Sequence, residues 1–154
     1  MSEEPATGAV ATLNIDDFCK DVARALIQLA QTFPRPHNLF VEDVYRAEEP
    51  DEYGLHSNRY LACFSALTWL QEEGYIRYVD TLRTEAIEQA VLTRAALVQL
   101  ITPATATAEA GNHETLALDR NTLLARMRGA LKSGSSTELR WAVLELMRRM
   151  QSGA

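Results

Sequence analysis

The chain has 154 residues, is 47% hydrophobic and carries a formal net charge of −6. This length and composition suffice for one globular domain that builds its own core without disulfides or metals. No apolar run approaches the roughly 18 residues of a membrane span, and the first residues are acidic, unlike the start of a signal peptide, so we expect a cytoplasmic protein that is not membrane-bound.

The first part of the chain is predicted to be a leader followed by two helices. Residues 1–13 are small and polar, which is typical of a disordered leader. A helix is predicted from about Asp16 to Gln31, because Asn14 can cap it and apolar residues recur at helical spacing at 18, 22, 26 and 29. Pro34 and Pro36 end it, since proline cannot continue the hydrogen-bond ladder. A short second helix over 41–47 and an acidic loop over 48–54 follow.

A third helix and a pair of strands complete the front domain, predicted over 14–101. The helix runs from about Ser57 to Glu73 and ends at Gly74, where a left-handed cap belongs. The period then changes to two, which predicts strands on either side of a tight turn at 83–85. Thr93 can cap a fourth helix over 94–101, closed by Pro103. The residues of the third helix predicted to face inward are Leu61, Phe64, Leu67 and Leu70.

A linker over 102–113 and a helical hairpin over 114–152 follow. The first helix of the hairpin is predicted over about 115–132, with apolar residues at Leu116, Leu123, Leu124, Met127 and Leu131. The second helix begins with a capping-box pattern, Ser135 followed by Glu138. Its apolar face must cover the first helix, the front domain or a second copy of the chain. That face consists of Leu139, Val143, Leu146 and Met150.

The order helix, helix, longer helix, strand pair, helix resembles the winged helix-turn-helix plan. The segment Ala66-Leu67-Thr68-Trp69-Leu70-Gln71-Glu72-Glu73-Gly74-Tyr75-Ile76-Arg77 is similar to the end of the recognition helix and the first wing strand of MarR-like regulators. The fold class implied is mainly α with a small β-hairpin: a winged helix-turn-helix domain followed by a C-terminal helical hairpin.

In DNA-binding members of that superfamily, exposed residues of the third helix enter the major groove and the wing contacts the adjacent backbone. The resemblance therefore implies a contact surface for DNA or another partner. Its residues are Asn58, Arg59, Ala62, Ser65 and Thr68 on the helix, with Arg77, Arg83 and Thr84 on the wing. For Arg59, a salt bridge to Asp51 or Glu52 is an equally good interpretation.

The charge distribution favours protein as the partner. Residues 14–101 hold 14 acidic side chains against 8 basic ones, and DNA-binding proteins gain most of their affinity by neutralising phosphates. Winged domains also bind proteins, for instance in accessory subunits of bacterial condensin-like complexes, and Trp69 is either an anchor for such a partner or ordinary half-buried packing. Residues 102–154 are basic by 7 to 5, which suits an acidic front domain better than nucleic acid and makes a homodimer plausible.

Other chemistry has little support in the sequence. The histidines at 37, 56 and 113 lie in separate predicted loops without a metal-binding or nucleophilic motif, the glycines form no phosphate loop, and the carboxylates are best explained as a solvated face. Cys19 and Cys63 are predicted to be small buried hydrophobes. We therefore predict a protein without catalytic, metal or cofactor sites. Its predicted function is that of an adaptor or regulator that binds protein, with a dimeric DNA-binding transcriptional regulator as the alternative.

Overall fold

The computed structural model describes residues 4–45, 55–103 and 121–152, with side chains placed over 14–45, 55–103 and 121–151. These ranges contain six helices and four strands, so this part of the chain is mainly helical with a small antiparallel sheet, as predicted. In chain order the elements are α1 (Glu4–Thr32), β1 (His37–Phe40), α2 (Val41–Val44), α3 (Asn58–Glu72), β2 (Ile76–Arg77), β3 (Asp80–Leu82), β4 (Ala86–Leu92), α4 (Arg94–Ile101), α5 (Leu123–Ser133) and α6 (Ser136–Ser152).

Helix α1 is longer than predicted. It begins at Glu4 rather than near Asp16, so the predicted leader is helical from its fourth residue onward. Alanine, the strongest helix former, recurs at 6, 9 and 11, and this propensity favours a helix even without a repeating apolar stripe. The helix ends at Thr32 before the two prolines, as predicted. Val22, Leu26 and Leu29 of its apolar stripe are buried.

The sheet is built around β4. Strands β1, β2 and β3 all pair antiparallel with β4, in the order β1-β4-β2 with β3 also on β4. The predicted strand pair is confirmed, and its turn is closed by the Glu85 amide, which donates to the Leu82 carbonyl at 2.9 Å. Strand β1 was not predicted, because its four residues lie between two prolines and a helix and are too few to show alternation. The predicted helix over 41–47 is a single turn, Val41–Val44.

Helix α3 begins after its N-cap Ser57, close to the predicted start, and ends before a left-handed Gly74, whose φ is +82°. Its buried stripe differs from the prediction. Leu61 is exposed and Phe64 only half-buried, whereas Leu67 and Leu70 are buried as expected. The helix is rotated so that three other side chains face α1 and α2: Tyr60, Cys63 and Ala66.

The C-terminal half matches the prediction in outline. Thr93 Oγ1 accepts a hydrogen bond from the Ala96 amide at 3.2 Å and caps α4, as predicted. Helix α5 begins only at Leu123, after its N-cap Thr122. Residues 104–120, which include most of the predicted linker and the predicted start of this helix, and residues 46–54, which include the predicted acidic loop, lie outside the described residues.

The hairpin of α5 and α6 packs on α1 and α4, and its buried side chains join the same hydrophobic core as those of the sheet and α3. The apolar face of the hairpin is therefore covered by the chain's own front domain, which was one of three predicted possibilities. Within the described residues, every helix is either too short or too polar to cross a membrane.

Candidate functional site

The exposed side of α3 was predicted to contact DNA or another partner. The structure places Asn58, Ala62 and Ser65 on this side with exposed side chains. Arg59 and Thr68 are only partly exposed, and the Thr68 hydroxyl donates to the Ser65 carbonyl at 3.0 Å. The predicted helix residues therefore share one face of α3, but Arg59 is turned away from it toward α1.

Arg59 is held by a carboxylate cluster. Its Nη1 and Nη2 donate to the two carboxylate oxygens of Asp21 at 2.7 and 2.8 Å, and its Nε lies 3.4 Å from Asp17. The guanidinium also lies over the Tyr45 ring, 4.2 Å from its centroid. A salt bridge was one of the two predicted roles for Arg59; its partners among the described residues are on α1, and the predicted partners Asp51 and Glu52 lie outside the described residues. Two carboxylates thus neutralise the positive charge of Arg59, which would otherwise be able to bind a phosphate.

Burial raises the pKa of Asp21, while the hydrogen bond and charge of Arg59 act in the opposite direction. Asp21 is 1% exposed. A carboxylate this deeply buried is stable only when a hydrogen-bonded cation faces it. Asp21 was not singled out by the sequence, because its position in α1 looks like an ordinary solvent-facing acid.

The same face of α3 forms one wall of an apolar groove of about 760 Å³. Helices α1 and α6 form the other walls, and two large aliphatic side chains stand on its rim: Ile15 is 45% exposed and Leu144 is 49% exposed. The apolar lining residues are Ile15, Phe18, Cys19, Ala62, Ala66, Trp69, Leu144 and Met147, and the polar ones are Asn14, Asp17, Asp21, Asn58, Arg59 and Ser65. We call this the α1–α3–α6 groove.

Trp69 lies in the wall of the α1–α3–α6 groove within an aromatic cluster. Its ring makes an edge-to-face contact with Phe18, with centroids 5.1 Å apart, and stacks on Tyr75 at 5.6 Å. Trp69 is half-buried and Tyr75 is buried. Both rings therefore pack within the fold, as one of the two interpretations of Trp69 has it, and Trp69 also retains a surface that an incoming side chain can reach.

The predicted wing, made of β2, β3, β4 and their turn, is not strongly cationic. Arg77 on β2 and Arg83 and Thr84 in the turn are exposed, as expected of contact residues. The same strands and turn also carry Asp80, Glu85 and Glu88, and α3 ends in Glu72 next to Glu73. Acidic side chains therefore outnumber arginines on this side of the molecule.

The predicted interface on the hairpin is wrong for three of its residues. Leu139, Val143 and Leu146 are buried in the chain's own core, and only Met150 is half-buried. They pack against the front domain and are not accessible to a partner. The exposed apolar residues of α6 are instead Trp141 and Leu144. The sequence did carry a signal for this exposed apolar surface: Trp141 and Leu144 are large apolar residues at positions of α6 that lie opposite its buried stripe.

Other reactive groups are not arranged for chemistry. Burial raises the pKa of the Cys19 thiol to about 11 and that of Cys63 to about 12. The His56 ring stacks on Tyr60 at 3.7 Å between centroids. Among the residues that the structure describes, no three His, Cys, Asp or Glu side chains are grouped as metal ligands.

Comparison of the chain with protein-family models, with curated proteins and with solved structures gave no match. Function therefore has to be inferred from the surfaces described above. The α1–α3–α6 groove is the strongest candidate among them, since it joins residues from three helices and exposes apolar side chains at its rim.

Proposed function

We propose that this chain is a non-enzymatic adaptor or regulator whose winged-helix domain binds an amphipathic helix of a partner protein in the α1–α3–α6 groove. The observation that carries the proposal is the chemistry of the exposed α3 face: it borders apolar side chains, and its one arginine is neutralised by Asp21 and Asp17. Apolar grooves between helices are a recurrent binding mode for amphipathic helices.

The topology supports the winged-helix assignment. The order α1, β1, α2, α3, then the β2/β3 and β4 ribbon, with β1 paired to β4, is the arrangement expected of that fold. In this assignment α3 takes the place of the recognition helix. The face that DNA-binding winged-helix proteins use for DNA is, in this chain, a wall of the groove.

The expected partner has a defined chemistry. Ile15, Trp69 and Leu144 call for a stripe of large apolar residues on the incoming helix. At the polar end of the groove, Asp17 and Asp21 face the single cation Arg59, which leaves a net negative charge. A lysine or arginine at the corresponding end of the partner helix would complement this charge.

DNA binding has less support. Arg59 is the only cation in α3, Glu72 lies in its last turn, and the described wing carries more acids than arginines. Without phosphate contacts, sequence-reading contacts have little binding energy to act on. A DNA-binding transcriptional regulator is therefore the alternative function, and the same experiment distinguishes it.

Ser65→Arg is the discriminating variant. It places a bulky cation in the groove, which should block an apolar helix but should strengthen any contact between α3 and phosphate. Val98→Arg is the matched control, since Val98 is an exposed apolar residue of α4 that does not line the groove. A protein retained from an extract by the wild-type chain and by Val98→Arg, but lost by Ser65→Arg, is then purified for direct binding.

Direct binding is measured by fluorescence. The chain has two tryptophans, so Trp141→Phe leaves Trp69 as the only reporter, and it lies in the groove wall. We expect the purified partner to shift the Trp69 emission and to bind the Ser65→Arg form at least about tenfold more weakly. Equal affinity of the partner for Ser65→Arg and Val98→Arg would refute the groove. Salt-sensitive binding to duplex DNA that tightens in Ser65→Arg would favour the DNA-binding regulator instead.

A further inference from the structure

The outer face of α6 carries an apolar stripe that no described part of the chain covers. Trp141 is 48% exposed and Leu144 is 49% exposed, three residues further along the same helix. The opposite face of α6 already supplies the core through Leu139, Val143 and Leu146. The outer stripe is therefore additional apolar surface that the core does not use.

The charges beside this stripe are arranged symmetrically. Glu138 lies five residues before position 143 and Arg148 lies five residues after it, and both are exposed. When the outer faces of two copies of α6 pack antiparallel about a two-fold axis that crosses the helix at the level of residue 143, each residue faces the one equally far along the helix on the other side of the axis. Glu138 of one copy then lies opposite Arg148 of the other, and Trp141 lies beside Leu144 of the second copy. Such self-complementarity is what an isologous dimer interface requires.

A surface depression lies where the second copy would place its arginine. Its volume is about 450 Å³, and its lining residues are Arg126, Gly129, Ala130, Thr137, Glu138 and Trp141. A Cβ added at Gly129 would meet nothing within 4 Å, so the floor of the depression is open there. The Arg126 guanidinium lies 4.9 Å from the centroid of the Trp141 ring, and both side chains line the depression. Arg148, 66% exposed while paired with Glu145, is long enough to enter the depression of a second copy.

We propose that the outer face of α6 is a self-association surface, on which a second copy of the chain packs its own α6 antiparallel, with Glu138 paired to Arg148 across the two-fold axis. This proposal does not depend on the helix-binding groove, although Leu144 contributes to both surfaces. The sequence predicted a homodimer through Leu139, Val143 and Leu146. The structure assigns the opposite face of the same helix.

A charge-swap experiment tests both the dimer and its geometry. The full-length chain is studied by sedimentation equilibrium across the micromolar range. We expect the wild type to approach twice the monomer mass. Glu138→Arg and Arg148→Glu each place like charges opposite each other and should weaken the dimer at least about tenfold. The double variant Glu138→Arg/Arg148→Glu restores opposite charges and should recover the dimer.

Three further variants separate the dimer from folding and from the groove. Trp141→Ala should weaken the dimer, whereas Val98→Ala, at an equally exposed apolar residue of α4, should not. Far-UV circular dichroism verifies that each variant is folded. Ser65→Arg should lose the groove partner but keep the dimer, so failure of one proposal is distinguishable from failure of the other.

A wild type that remains monomeric throughout the range would overturn the proposal. A dimer that persists in both single charge variants would also overturn it. A double variant that fails to recover the dimer, although it is folded, would refute the antiparallel register and with it the assigned surface.

Discussion

Replacement of Arg59 by methionine tests whether this residue serves the fold or a nucleic-acid surface. Methionine keeps much of the length of the arginine stem but removes the guanidinium. The variant leaves Asp21, 1% exposed, without the cation that donates to both of its carboxylate oxygens. Asp17, which also faces the guanidinium, then repels Asp21.

The expected loss is large for a single substitution. Removing one partner of a buried ion pair costs about 3–5 kcal/mol, because an uncompensated charge stays buried. Arg59 is partly open to solvent, so we expect the lower end, about 3 kcal/mol. Since 1 kcal/mol corresponds to about 2–4 °C for a domain of this size, the Tm should fall by about 6–12 °C.

Urea unfolding followed by far-UV circular dichroism measures this loss, and its pH dependence identifies the cause. Burial already raises the pKa of Asp21 in the folded state. Without Arg59 the folded-state pKa of Asp21 rises further. The free-energy cost of burying the ionised carboxylate is therefore fully present above that folded-state pKa, and it vanishes below the unfolded-state pKa of about 3.9. The deficit of Arg59→Met should therefore shrink as the pH falls from neutral toward 4.

Two variants complete the experiment. Arg59→Met/Asp21→Asn removes the stranded charge and should recover at least half of the lost free energy of unfolding. Arg77→Met, at an exposed arginine of β2, should stay within about 0.5 kcal/mol of the wild type. If Arg59→Met also stays within about 0.5 kcal/mol, Arg59 is not a structural ion-pair residue and its role as a surface contact becomes the better explanation.

Further predictions concern the core, a helix cap and the thiols. Leu146→Ala should lower the free energy of unfolding by about 2–5 kcal/mol because Leu146 is fully buried. The control Leu144→Ala should change it by less than about 0.5 kcal/mol. Equal losses for the two variants in urea unfolding would contradict the orientation of α6. Thr93→Ala should cost about 1–2 kcal/mol, since its hydroxyl caps α4, and an unchanged unfolding midpoint would argue against the cap. Burial raises the pKa of Cys19 to about 11 and that of Cys63 to about 12, so a thiol reagent at neutral pH should label them only after unfolding, and rapid labelling of the folded chain would show that they are accessible.

Much of the fold follows from local patterns. The end of α1 before two prolines, the start of α3 near Ser57, the cap at Thr93, the left-handed Gly74 and the strand pair after it were all predictable. Each depends on backbone chemistry within a few residues, such as a missing amide, a capping hydroxyl or a positive φ. Strand β1 escaped prediction because its signal is tertiary: it exists through its pairing with β4, about fifty residues away.

The candidate site depended far less on local pattern. From the sequence, the exposed face of α3 is defined only to within one helical position. A helix that carries apolar residues on several sides has more than one face that it can bury. Packing against α1 and α2 chose the face with Tyr60 and Cys63 and left Leu61 exposed. It also brought Asp21 to Arg59, 38 residues away, and turned a predicted DNA contact into an internal ion pair. The sequence by itself therefore determined most of the helices and those ends that caps, glycine or proline set, because these depend on neighbouring residues. The tertiary structure alone decided which surfaces remain for a partner, because burial of a side chain depends on residues that are distant in sequence.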